Sequence, residues 1–143
     1  MDDNNQIRLG RHCKFQLEVH LVFVTKSRGQ VFTNEALDDL RLIFSKICQG
    51  FEAELVAFSG GVDHVSLQVS YPPKLAVSNL VNTLKGVSSR MIRQKEHSSV
   101  LGKLPSGALW SPSYFAASCG GASDTAVRDY LAQQQVSLHG SPV

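Results

Sequence analysis

Long apolar runs are missing from this sequence: none approaches the roughly 20 residues that a membrane-spanning helix needs, so no membrane partner is expected. Cysteine is scarce. Cys13, Cys48 and Cys119 are odd in number, far apart and without a CxxC pair. This argues against a disulfide framework or a zinc knuckle and suits reduced thiols in a cytosol. Charged residues make up only 18%, yet the apolar fraction of 43% is that of a folded protein and excludes wholesale disorder. The opening MDDNNQIRLG is polar and has no apolar stretch, so no secretory leader is expected. Repeats, low-complexity tracts and a dividing linker are also lacking. The 143 residues therefore read as one domain over 1–143, with flexible tails expected at 1–10 and 137–143.

What charge there is gathers in one place. Residues 85–103 hold five basic residues (Lys85, Arg90, Arg93, Lys95, Lys103) against Glu96 alone, a local +4. The remaining nine basic and eleven acidic residues sum to −2. A cluster of one sign points to a local anionic partner such as a phosphate backbone. The plainer reading is a solvated helix face.

Hydrophobic periodicity supplies the architecture. From Cys13 to Lys26, Phe15, Leu17, Val19, Leu21 and Phe23 alternate with Lys14, Gln16, Glu18 and His20, the period of a half-buried strand. Thr33 or Asn34 can cap a helix whose apolar positions are Leu37, Leu40, Phe44, Ile47 and Phe51. Residues 52–59 predict a second strand and Gly60-Gly61 a tight turn. Residues 62–70 predict a third strand, with Val65, Leu67 and Val69 on one face and His64, Ser66 and Gln68 on the other; Pro72-Pro73 ends it. A second helix is expected over about 76–96, with Val77, Leu80, Leu84, Val87 and Met91 inward and Lys85, Ser89 and Arg93 on the outer face. After a loop with Pro105 and Gly107 come a strand near 113–119, another Gly-Gly turn, and a last helix of about 124–136 capped by Asp124 or Ser123. Val127 and Leu131 line its apolar side, with Tyr130 and Gln134 one turn apart beside them. The order strand, helix, strand, strand, helix, strand, helix is an α+β, ferredoxin-like antiparallel sheet with helices on one face plus a C-terminal helix.

Three residue types on that frame can carry chemistry. His64 and position 66 project in parallel from one strand face, a spacing that lets both reach one ion. A lone histidine there is more often a hydrogen-bonded structural residue. Tyr130 ordinarily packs its ring and solvates its hydroxyl, and Gln134 is ordinarily a helix former on a wet face. Their weight lies in the combination of a hydroxyl nucleophile, an imidazole, an amide oxygen and a basic helix.

Five segments resemble, in order and spacing, successive blocks of one family: His20-Leu-Val-Phe-Val-Thr-Lys26, Asp63-His-Val-Ser-Leu-Gln-Val69, Leu84-Lys-Gly-Val-Ser-Ser-Arg90, Leu109-Trp-Ser-Pro-Ser-Tyr-Phe115 and Tyr130-Leu-Ala-Gln-Gln134. Together they resemble the single-tyrosine HUH transposases, the TnpA type of the smallest bacterial insertion sequences, over about residues 11 to 136. The resemblance implies a DNA transposase that binds single-stranded DNA with imperfect hairpins, cuts it through a 5′-phosphotyrosine and rejoins it. It implies Tyr130 as nucleophile, a divalent metal (Mg²⁺ or Mn²⁺) held by His64 and Gln134, and a basic DNA-binding helix with Lys85, Ser89, Arg90 and Arg93. It also implies a homodimer in the cytoplasm of a bacterial or archaeal cell. No nucleotide cofactor is expected, since a phosphotyrosine conserves the phosphodiester's energy and no phosphate-cradling GxxxxGK[ST] loop is present.

The sequence departs from the family pattern at two positions. Ser66 stands where the family has its second histidine, and Ser27 where it has an aromatic residue. A serine hydroxyl is a weaker, shorter ligand than imidazole. Ser66 thus leaves open a working enzyme with a degenerate metal site, a decayed or repurposed binder of hairpin or single-stranded nucleic acid, or an engineered inactive form. Gln68 and Asp63 are candidate substitute ligands, although Gln68 lies further along the strand and Asp63 is expected on the other face. A metabolite-binding regulator of the same fold would leave Tyr130, Gln134 and the basic stretch unexplained.

Overall fold

The computed structural model describes residues 7–26, 29–95, 97, 100, 109–118 and 124–138; within the last helix, the side chains of 124, 125 and 134–138 fall outside this description. Ser27, Glu96, Lys103, Pro105, Gly107, Cys119, Ser123 and the second Gly-Gly turn lie outside the described residues. The elements are β1 (Arg8–Leu9), β2 (Lys14–Phe15), β3 (Glu18–Val24), α1 (Asn34–Gly50), β4 (Glu54–Gly60), β5 (His64–Ser70), α2 (Val77–Gln94), β6 (Phe115–Ser118) and α3 (Asp124–Leu138). β3 to β6 form an antiparallel sheet in the order β4-β5-β3-β6. This is the ferredoxin-like topology expected, with α3 added. None of the described helices is long and apolar enough to cross a membrane.

Alternation sorts the sheet's two faces. Val19, Leu21, Phe23, Val65, Leu67 and Val69 are buried against α1 and α2, while His20, His64, Ser66 and Gln68 are only partly covered. α1 begins where the Thr33 hydroxyl accepts from the Ala36 amide at 3.1 Å. It ends in a Schellman pair, with the Glu52 amide bonded to Gln49 and the Ala53 amide to Cys48. Glu52 takes the left-handed conformation this requires, at φ 60°, and its carbonyl accepts from Arg8 at 2.8 Å.

Two expectations about the elements are corrected. The alternating run from Cys13 is not one strand: Lys14 and Phe15 pair with Leu9 and Arg8 in a small hairpin, and β3 starts at Glu18. The buried stripe of α2 is Leu80, Val81, Leu84, Ser88 and Ile92, with Val87 and Met91 only half-buried. The stripe is rotated because Ser88 is admitted to the core by its hydroxyl, which accepts from the Trp110 indole Nε1 at 2.9 Å. The strand expected over 52–59 is present as β4, and its pairing with β5 is irregular between Leu55 and Ala57.

Candidate functional site

The end of β3 is the hub. On one side Val24 pairs with His64, and the Thr25 amide donates to Asp63 O at 2.9 Å. On the other, the Ser111 amide donates to Val24 O at 2.8 Å, and Thr25 bridges to Trp110. Segments 63–64 and 110–111 therefore flank one strand end, two interstrand spacings or about 10 Å apart.

His64 is held from two directions. Its Nδ1 lies 3.0 Å from Asp63 Oδ1, and its ring packs on Gly61, where a Cβ would sit 2.8 Å from Cε1. The expectation that Asp63 points to the opposite face is thus corrected. Asp63 precedes the first strand residue, so strand alternation does not govern it. With Nδ1 facing a carboxylate, Nε2 is the nitrogen left to ligate, an arrangement typical of metal-binding histidines.

Ser66 is engaged within the sheet. Its Oγ lies 2.6 Å from Nε2 of His20 on β3, a residue the sequence reading did not assign to the site. His20 pairs with Gln68, one position along the same face, and Ala57 and Ser59 flank them on β4. His20, Ala57, Phe58, Ser59, Ser66 and Gln68 line an open cavity of about 260 Å³. The signals for His20 were its place on the polar side of the first strand and its presence in the first block. Its partner was illegible without the β3–β5 register.

Tyr130 reaches this same face. Phe115 pairs with Val22, which pairs in turn with Ser66, so all three share the face opposite the two-helix layer. The Phe115 ring contacts Tyr130 at 5.6 Å and His20 at 6.2 Å between centroids. The Tyr130 hydroxyl lies 3.1 Å from Ser113 Oγ, on the β6 side of the strand end whose other flank carries His64. Gln134 is in α3 one turn beyond Tyr130, and its side chain lies outside the described residues.

The basic helix departs from expectation. Lys85 does not face outward: its Nζ lies 2.6, 3.2 and 3.2 Å from the carbonyl oxygens of Ser111, Pro112 and Ser113. Burial lowers its pKa from the ordinary lysine value. Ser89 Oγ accepts from the Leu109 amide at 3.3 Å. Arg93 is half-buried and Arg90 exposed. The blocks 84–90 and 109–115, distant in sequence, are one packed unit.

As for ions, no group of three or more His, Cys, Asp and Glu side chains is arranged to hold one among the described residues. The donors at the strand end are the His64 imidazole, oriented by Asp63, and the Ser66 hydroxyl, with the His20 imidazole bonded to that serine. One nitrogen and neutral oxygens fit a hard divalent ion that keeps several waters, and do not fit a closed zinc site.

Comparison with known proteins agrees with this architecture. Residues 13–134 match the family model described as "Transposase IS200 like". The ISDra2 transposase TnpA of Deinococcus radiodurans is 35% identical over 109 residues, covering 76% of this chain and 77% of that protein. The transposase for insertion sequence element IS200 of Salmonella typhimurium is 27% identical over 124 residues, covering 86% and 80%. A crystal structure of a candidate transposase from Deinococcus radiodurans superposes with a TM-score of 0.77 at 30% identity, covering 89% of this chain and 97% of the other. With residues 13–134 matched by the family model and a relative 35% identical over 76% of its length, the chain belongs to the IS200-like transposase family.

Proposed function

We propose that this protein is a single-tyrosine transposase that binds single-stranded hairpin DNA ends and cuts and rejoins them through Tyr130. The observation that carries the reading is the placement of the Tyr130 hydroxyl, at Ser113 on one flank of the β3 end, with the Asp63-oriented His64 on the other. A scissile phosphate lying across that strand end meets a nucleophile from one side and an ion-binding imidazole from the other.

In the first step the phenol oxygen bonds to phosphorus and the bond to the 3′ oxygen breaks. The proton given up by the phenol is balanced by the one the departing 3′ oxygen gains. The product is a 5′-phosphotyrosine and a free 3′-OH, and attack by another 3′-OH reverses the chemistry and rejoins the strand. A phenol with a pKa near 10 is a weak nucleophile at neutral pH. Ser113 orients the hydroxyl, and Phe115 holds the ring against the sheet. His64, Ser66 and Gln134 are the residues that would hold Mg²⁺ or Mn²⁺. When bound, the ion polarises a non-bridging phosphate oxygen. Arg90 and Arg93 supply charge for the DNA backbone, and the active state includes a homodimer.

A second reading is favoured by the His20–Ser66 contact: with the second imidazole replaced and the serine bonded inside the sheet, the scaffold binds hairpin DNA without cutting it. Incubation with single-stranded hairpin DNA and Mn²⁺, followed by denaturing electrophoresis, separates the two. A covalent adduct that disappears in Tyr130→Phe is the expected result. An adduct that persists removes Tyr130 as nucleophile, and salt-sensitive binding with no adduct establishes the second reading.

A further inference from the structure

Three side chains of α2 hold the segment that carries Ser113. Ser89 accepts from the Leu109 amide, Ser88 from the Trp110 indole, and Lys85 donates to the carbonyls of residues 111, 112 and 113. Three carbonyl dipoles converging on one point repel one another unless a cation sits among them. An ammonium has three protons, matched here by three carbonyl oxygens, so this arrangement commits all of its donors within the protein. Half-burial, and the Phe23 and Tyr114 rings at 5.9 and 5.8 Å, further withdraw the charge from solvent. Ser113, whose carbonyl Lys85 holds, is the residue whose hydroxyl meets Tyr130.

We propose that Lys85 is a positioning residue for the nucleophile and not a DNA contact: it gathers the carbonyls of Ser111 to Ser113 and thereby sets the Ser113 hydroxyl that orients the Tyr130 phenol. The catalytic meaning rests on Tyr130 being the nucleophile; the structural coupling from Lys85 to Tyr130 does not. Displacing a nucleophile by about 1 Å costs about 100-fold in rate, so a residue that never touches substrate can control the chemical step.

The test uses the full chain with Lys85→Met, Lys85→Arg and Ser113→Ala, single-stranded hairpin DNA and Mn²⁺. In Lys85→Met the single-turnover rate of adduct formation at saturating DNA should fall by about 100-fold, while DNA affinity and its salt dependence stay at wild-type values. Adding Ser113→Ala should lower the rate little further, because both changes act through one contact. Lys85→Arg, which keeps the charge but presents a planar fork, should fall between the two and serves if Lys85→Met does not fold. Weakened binding with a salt slope reduced by about one, at an unchanged saturated rate, would overturn the proposal in favour of a phosphate contact. A readout independent of cleavage is the ¹⁹F resonance of fluorotyrosine at position 130, assigned by its loss in Tyr130→Phe. It should move in Lys85→Met as it does in Ser113→Ala, and a resonance that moves in Ser113→Ala alone would also overturn the coupling. Failure of the nucleophile reading shows instead as an absent adduct, or one that survives Tyr130→Phe, with the ¹⁹F comparison still deciding the coupling.

Discussion

Nε2 of His20 lies 2.6 Å from Oγ of Ser66, on neighbouring strands whose register makes the two residues diagonal neighbours on one face. An imidazole is thus present beside position 66 although the sequence places none there, and it is spent on the serine. Replacing Ser66 with histidine puts a nitrogen donor two residues from His64 on the same face. Mn²⁺ affinity measured by titration calorimetry should rise by about 10-fold or more, on the scale of changes around metal ligands, and adduct formation should rise with it. No gain in either would place position 66 away from the ion.

Gly61 is the floor beneath the His64 ring. A Cβ there would lie 2.8 Å from Cε1 and 3.2 Å from Nδ1, so Gly61→Ala must turn the imidazole away from Asp63. Adduct yield and Mn²⁺ affinity should drop about 10- to 100-fold, while the thermal midpoint changes little because the displaced ring is partly exposed. Wild-type activity in Gly61→Ala would mean that the orientation imposed by Asp63 is not used.

Cys48 and Cys13 should behave as opposites. Cys48 is fully buried in α1, and burial pushes its thiol from 9.0 up to about 12. Cys13 is exposed. A thiol reagent should modify Cys13 in the native protein and spare Cys48 until the chain unfolds. Because the folded value lies above the unfolded one, the stabilising contribution of Cys48 is complete below pH 9 and is lost as pH rises from about 9 towards 12. Urea unfolding should show this alkaline loss in the wild type and a shallower one in Cys48→Ala; identical slopes would contradict it.

Much of the fold was legible because its signals are local. Alternation over Val19 to Phe23 and over His64 to Val69, the Thr33 cap and the apolar spacing of α1 each depend on neighbours a few residues away. The errors arose where a distant partner decided the outcome. Periodicity favours Val87 over Ser88 for the core, because nothing in α2 announces the Trp110 indole that satisfies the serine hydroxyl. The outer-face position expected for Lys85 fails for the same reason, its three acceptors lying 26 to 28 residues away. Asp63 is the exception: its partner is the adjacent His64, and strand alternation does not extend to a residue that precedes β5.

The sequence by itself determined the order of elements, the polar face bearing His64 and Ser66, and the five ordered blocks that carry the family resemblance, because periodicity and residue type are properties of short stretches of chain. Tertiary structure alone decided that Tyr130 meets Ser113, that His20 meets Ser66 and that Lys85 turns inward. Each of these contacts joins segments whose approach is set by sheet register and helix docking, and no spacing along the chain encodes that approach.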